Sequence, residues 1–381
     1  MKKMREKRYI NGLKRKQDKM ESIYDELEKT KAVAIYGAGV IAYNIASALY
    51  AVYGIKIICY FVSDLSNTHF FGGIQAELYS EEKFYQYKKP LIVVATPEEY
   101  HEEIVKCLSY GSEKKYYLVD ASIEYEIMRK FYRQRKSFLT VEDLPKDTML
   151  ENKVDSRSFE VYMARSIWDK PLKKSYEIPN WTIPVHAGKK LTQQKLSNDT
   201  DDFVGGISER NKNYCELTVT YWAWKMRHAS YMGICHYRRI FVLSACDIDK
   251  IIENDVDVIL PVPFLCSPDA SEQYFRYITK EDYAVFMKII SKFYRETEIV
   301  QILHSKYFYN YNMLIAKEEI FHQYCEFLFP VLFGMESYFK RHGIRREDRY
   351  LGYFGELLTT IFFSLHHKDF KIVHAKKQWL V

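Results

Sequence analysis

The stretch that most constrains this chain is AVAIY (32–36), followed at once by Gly37-Ala38-Gly39-Val40-Ile41-Ala42 and a helical pattern through Leu49. That order reads as strand, glycine turn, helix. Gly37 permits the tight turn, Gly39 lets the backbone approach a pyrophosphate at the helix N-terminus, and the small Ala42 lets helix and strand pack closely. The alternation then repeats. IKIICYFVSD (55–64) reads as a strand, LYSEEKFYQY (78–87) as a helix and PLIVVAT (90–96) as a strand. PEEYHEEIVKCLSYG (97–111) reads as a helix opened by Pro97 and closed by Gly111, and KYYLVD (115–120) as a further strand. Strands alternating with helices imply a parallel, doubly wound sheet. Asp64, at the end of the second strand, is the candidate partner for a ribose, at a spacing somewhat longer than the usual ~20 residues. The turn is read as a nucleotide or sugar-nucleotide site, or as packing alone in a degenerate domain. No catalytic constellation follows it, which weakens an oxidoreductase reading.

A chain of 381 residues, 48% hydrophobic, is long enough for two domains rather than one. Residues 1–30 read as a basic helix suited to an anionic lipid surface or to plain solvation. Residues 31–125 form the glycine-turn domain, 126–156 a helix and linker around Pro145, and 157–381 a second domain. The net charge of +6 fits nucleotide diphosphates or an acidic membrane face and does not demand nucleic acid. The start is basic without an apolar h-region, and no stretch reaches the ~20 apolar residues of a membrane span, so a cytoplasmic protein is expected. The seven cysteines contain no CxxC pair, which fits free thiols. The 33 tyrosines suit sugar binding, because the ring covers C–H faces while the hydroxyl bonds polar groups; a codon-biased genome would give the same count.

The second domain carries three polar clusters among apolar elements. The first is an acidic loop with Asp199 and Asp202, then Gly205-Gly206 and a helix bearing Asn211, Asn213, Glu216, Tyr221, Trp224 and Lys225. Glu216 and Asn213 amid apolar neighbours are costly unless paired. The aromatics read either as a core stripe or as the lining of a sugar site. The second cluster, His236-Tyr237-Arg238-Arg239, closes an apolar strand. Adjacent arginines there suit a diphosphate, which takes bidentate, permanently charged donors. Base at this position, rather than acid, disfavours a metal clamp. The literal D-x-D triplets at Asp247–Asp249 and Asp255–Asp257 are weak matches. The third cluster runs from Arg345 to Glu356. There Glu356 and Asp348 are the candidate general bases for direct displacement at an anomeric carbon.

Together, IPVHAG, DTDDFVGGISERNKNYCELTVTYWAWK, YMGICHYRRIF, DVDVILP and RYLGYFGELL resemble, in order, the bacterial capsular and exopolysaccharide glycosyltransferases long catalogued as a domain of unknown function. The likeness covers about residues 157–381. It implies a GT-A-like α/β domain with a mixed sheet and a nucleotide-sugar donor, UDP-sugar favoured, with UDP-galactofuranose among the options. A lipid-linked oligosaccharide acceptor and peripheral contact with the inner membrane face go with it. His236, Tyr237, Arg238, Arg239, Asn211, Asn213, Glu216, Asp199 and Asp202 would bind the donor, and Tyr221, Trp224 and Lys225 would line the sugar site. Three phrases depart from the family's pattern. The usual D-x-T-G-D-N-I-S loop is longer here, the tail Glu-Arg-Leu reads Glu356-Leu357-Leu358, and a His-Lys pair is absent near Ala164-Arg165. Residues 31–120 resemble the small Rossmann-like domains attached to bacterial sugar-modifying enzymes. Two other functions remain open: a non-catalytic sugar-nucleotide sensor or scaffold, and an NAD(P)-dependent sugar-modifying enzyme.

Overall fold

The computed structural model describes residues 29–66, 74–109, 114–134, 138–145, 158–173 and 177–380. The basic stretch expected at 1–30 lies, but for its last two residues, outside the described residues. The chain divides into two compact units, Met1–Arg135 and Lys136–Val381.

In the first unit, strand β1 (Ala32–Tyr36) leads through the glycine turn to helix α1 (Val40–Tyr53). Strands β2 (Lys56–Val62) and β3 (Ala76–Leu78), helix α2 (Glu81–Gln86), strand β4 (Leu91–Val94), helix α3 (His101–Leu108), strand β5 (Tyr116–Leu118) and helix α4 (Ala121–Arg133) follow. The sheet order is β3-β2-β1-β4-β5, and every pairing is parallel. β1 is apolar throughout because both its faces are covered, and its last four residues are buried. The chain reverses its direction of winding between β1 and β4, and the Gly37 turn sits at that switch point, where ligands of such sheets gather. Gly37 has φ +124°, and a Cβ there would meet Ala95 O at 2.6 Å. Over Gly39, by contrast, a Cβ would find nothing within 4 Å. Asp64 is exposed and holds the Ser66 amide at 2.9 Å and the Ser66 hydroxyl, bonds that keep its carboxyl below the ordinary range.

The stretch expected as a linker at 126–156 is shared between the units. α4 packs on α1, whereas Thr140 bridges His374 and Phe138 stacks on the His374 ring in the second unit.

The second unit is built on strands β6 (Phe159–Arg165), β7 (Thr182–His186) and β8 (Asp199–Thr200), which pair in parallel. Helices α5 (Asn211–Tyr214) and α6 (Leu217–Met226) lead to β9 (Tyr231–His236) and β10 (Arg239–Phe241). After α7 (Ala245–Glu253) come β11 (Val258–Pro261), β12 (Phe264–Leu265) and helices α8 (Ser271–Tyr274), α9 (Lys280–Ile290) and α10 (Glu296–Leu303). Strands β13 (Tyr307–Phe308) and β14 (Leu314–Lys317) precede the long helices α11 (Glu318–Arg341) and α12 (Tyr350–Leu365), and β15 (Ile372–Ala375) and β16 (Lys377–Trp379) close the chain. The main sheet runs β15-β11-β14-β9-β6-β7-β8, with β10 and β16 attached at β9. β6 pairs with β7 and β9 in parallel, while β14 pairs with β9 and β11 antiparallel, so the sheet is mixed. Both units are therefore α/β, one with a parallel and one with a mixed sheet. No described helix is long and apolar enough to cross a membrane.

Candidate functional site

A cleft of about 420 Å³ opens in the second unit at the C-terminal ends of β6 and β9, which lie side by side with Ala164 opposite His236. The segment after β6, the start of α5, the α5–α6 junction and the loop before α12 complete its wall. Among its lining residues, Arg165, Lys170, Lys212, Arg238 and Arg349 outnumber Asp169, Glu216 and Glu347. Such a balance favours an anionic ligand.

Strained backbone converges on Glu216. The helix breaks at Cys215, whose φ of 53° is one an L side chain rarely adopts, and Glu216 follows at once. Asn211 Nδ2 braces the break by donating to Cys215 O at 2.8 Å and Thr218 Oγ1 at 3.0 Å. Across the site, Tyr311 and Asn312 also take positive φ, 86° and 49°. Asn312 Nδ2 donates to Glu216 Oε1 at 2.7 Å and to Gly352 O at 3.0 Å. One carboxylate oxygen is thereby fixed, while Oε2 is buried with no hydrogen-bond partner. Non-glycine residues in this region cost about 1–3 kcal/mol each and cluster where function requires the geometry.

His236 Nε2 lies 3.9 Å from Glu216 Oε2. Burial, then Arg239, Arg238 and Arg349, hold the His236 imidazole well below its ordinary pKa, so it is neutral at pH 7. His236 Nδ1, Arg238 Nε, Arg239 Nε and Asn312 Oδ1 are likewise buried without partners. Four of these five orphaned atoms belong to the residues that line the cleft or stand directly behind it at Glu216. Buried polar groups are generally bonded, so this grouping makes the cleft the candidate ligand site.

Several expected site residues meet here: His236, Tyr237, Arg238, Asn211 and Glu216 all line the cleft. Others are placed elsewhere. Arg239 does not join Arg238: Arg238 sits in the turn between β9 and β10, whereas Arg239 opens β10 and pairs back with His236. Its guanidinium packs on Tyr311 at 4.1 Å and Trp379 at 4.4 Å. Asn213 Nδ2 donates to Arg346 O and Asp348 O, tethering the loop before α12. Asp199 sits in edge strand β8, and Asp202 is exposed beside Lys190 at 3.7 Å. The acid that organises that loop is the buried Asp201, which accepts from Gly188 N at 2.7 Å, Lys189 N at 3.1 Å and Ser208 Oγ at 2.5 Å.

Tyr221, Trp224 and Lys225 also lie off the cleft. Tyr221 packs edge-on against Phe329 of α11 at 4.9 Å, Trp224 stacks on Phe329 at 5.6 Å, and Lys225 covers Trp224. They form a helix–helix aromatic seam. The two expected bases are displaced as well. Asp348 is bound in a bidentate pair to Arg346, which holds its carboxyl below the ordinary range. Glu356 lines a small crevice with Tyr274, Tyr277 and Tyr353, and burial followed by the Glu216 charge pushes its pKa up to about 7. Asp169 and Trp168, which the sequence did not single out, also line the cleft, as does Arg349 of the third cluster, tethered through Nε to Cys215 Sγ at 3.2 Å.

Among the described residues no three His, Cys, Asp or Glu side chains gather as a metal site requires. Three of the four D-x-D acids are engaged elsewhere. Asp247 caps α7 through Ser244, and Asp255 and Asp257 bind Lys317 at 2.8 and 2.6 Å.

The cleft lies at the carboxyl ends of parallel strands in an α/β unit, where ligands of such sheets bind. The chain belongs to the family described as a domain of unknown function (DUF4422), whose model matches residues 171–368, just over half of the sequence. No curated protein matches it in sequence. Its fold is similar to that of the apo structure of the WbbM bifunctional glycosyltransferase, at a TM-score of 0.51 and 23% identity. That likeness covers 58% of this chain, too large a share to lie within the first unit alone, and 45% of the WbbM chain.

Proposed function

We infer that the second unit is a glycosyltransferase that moves a sugar from a nucleoside-diphosphate donor to a glycan acceptor. One observation carries this reading: an orphaned Glu216 oxygen and a neutral His236 face the same cleft as Arg238 and Arg349. Arginines there suit the diphosphate, offering charge and several donors to its oxygens. A carboxylate with a spare acceptor suits sugar hydroxyls and repels phosphate, so the donor is oriented with its sugar at Glu216. His236, being uncharged, serves as a hydrogen-bond partner and leaves the charge compensation to the arginines. The fold shared with a glycosyltransferase supports the reading.

The finer assignment follows the sequence resemblance. A UDP-sugar is the favoured donor, with UDP-galactofuranose among the options, and a lipid-linked oligosaccharide of capsular or exopolysaccharide synthesis is the acceptor. The protein works in the cytoplasm, in peripheral contact with the inner membrane face. Donor turnover without added divalent metal is expected. The direct test is hydrolysis of UDP-, GDP- and dTDP-sugars, followed by mass spectrometry with a lipid-linked acceptor. No turnover of any donor by the full chain would sink the reading.

A second reading concerns the first unit as a sugar-nucleotide sensor. The Gly37–Gly39 turn at the sheet's switch point, with open space over Gly39, supports it. Calorimetry with the same nucleotide sugars on Gly39→Val, which fills that space, tests it. Unchanged binding would remove the sensor.

A further inference from the structure

The two carboxyl groups expected to activate an acceptor, Asp348 and Glu356, lie off the cleft. Resting on the glycosyltransferase reading, we propose that Trp168 and Asp169 form the acceptor subsite, Trp168 covering the apolar face of a sugar and Asp169 taking the proton of its attacking hydroxyl.

Both residues line the cleft together with Glu216, His236 and Arg238. They stand in the segment that leaves the carboxyl end of β6, beside the end of β9. The segment is fixed. Asp169 Oδ2 accepts from Ser166 N at 2.8 Å, and Asp169 N donates to Ser166 O at 3.1 Å. Next in the chain, Lys170 N donates to Tyr237 OH at 3.0 Å, which ties this segment to the His236–Arg238 turn. A proton acceptor on a loop needs such bracing to act at a set distance.

Trp168 is 54% exposed. A large indole left in water at the rim of a polar cleft suits a partner with both C–H faces and hydroxyls, and a sugar ring has both. The Asp169 carboxyl is suited to its task by environment. Burial pushes its pKa up to about 6 against the pull of the Ser166 amide, Arg165 and Arg238, and Glu216 adds to the rise. A base of that strength is largely ionised at neutral pH yet takes a proton more readily than an ordinary aspartate.

The step balances without a co-reactant. The acceptor oxygen forms a bond to the anomeric carbon as the bond from that carbon to the diphosphate oxygen breaks. The electron pair leaves with the nucleoside diphosphate, whose charge faces Arg238 and Arg349, and the hydroxyl proton passes to Asp169.

The experiment uses the full chain, a panel of UDP-, GDP- and dTDP-sugars, and p-nitrophenyl glycosides as acceptors. Asp169→Asn is expected to lose about 10²- to 10⁴-fold in transfer kcat, with a far smaller change in donor Kd, and to lose the acid limb of the pH profile near pH 6. Asp169→Glu restores part of the rate. Trp168→Ala is expected to raise acceptor KM about tenfold, well beyond any change in donor KM, and Trp168→Phe to recover most of it. Wild-type transfer by Asp169→Asn, or an unchanged acceptor KM in Trp168→Ala, overturns the proposal. Weakened donor binding in both variants also overturns it, by assigning them to the donor. If wild type binds and turns over no donor at all, the glycosyltransferase reading fails and the acceptor subsite falls with it.

Discussion

At the scale of single residues, Glu216 shows how the site is made. Its Oε1 is held by Asn312 and its Oε2 is left for a ligand. Asn312→Ala is therefore expected to raise the donor Kd without touching the donor, and to lower stability by about 1–3 kcal/mol through the unpaired buried carboxylate. Calorimetry and thermal unfolding on the same variant check both. Arg238→Ala should weaken donor binding about 100-fold, with Arg238→Lys recovering only part, because a point charge cannot replace a planar fork. Wild-type donor turnover in Arg238→Ala would remove the diphosphate role. Glu356 gives a pH signature. Its folded pKa of about 7 is above the ordinary carboxyl value, so the folded state binds that proton more tightly than the unfolded chain. The stability it contributes is fully present below the ordinary carboxyl range and is lost as pH rises to about 7. At ~1.4 kcal/mol per pKa unit, the loss is on the order of 3 kcal/mol. Glu356→Gln should unfold at the wild-type temperature near pH 4 and several degrees higher at pH 8.

At the scale of elements, the glycine turn separates two uses of glycine. Gly37→Ala forces a Cβ to within 2.6 Å of Ala95 O at a φ of +124°, whereas Gly39→Ala meets nothing. The first substitution is expected to cost about 3 kcal/mol and the second less than 1. Equal unfolding temperatures for the two variants would show that the turn relaxes. Helix α6 carries a different lesson. Its aromatic positions were readable as a helical face, but the sequence offered two partners for that face, a sugar or a core. Phe329 of α11 lies more than a hundred residues away in sequence, and it turns Tyr221 and Trp224 into packing. The strand end at His236–Arg239 was legible as a charged terminus. That one arginine lines the cleft while the next is clamped by Tyr311 and Trp379 follows from the turn between β9 and β10, which holds Arg238, and from the β10–β16 pairing, which holds Arg239.

At the scale of the whole molecule, two units with separate cores should unfold as two transitions. A donor at 100 times its Kd should stabilise the second unit by about 2.7 kcal/mol and leave the first unchanged. Scanning calorimetry with the effective UDP-sugar reads this directly. A shift confined to the transition of the first unit would favour the sensor over the transferase.

By itself, the sequence determined what is local. The alternation of strands and helices, the strand–glycine–helix turn, the two-domain α/β class and the basic strand end follow from periodicity and steric freedom within short windows. Tertiary structure alone decided which polar groups share a cleft. Asp169, Glu216, Arg238 and Arg349 come from four separate segments, and Asn312 reaches Glu216 across 96 positions. No local pattern distinguishes Asp169, which burial lifts to about 6, from Asp348, which a bidentate arginine holds low. The difference is one of solvation and neighbouring charge, and the folded chain alone supplies both.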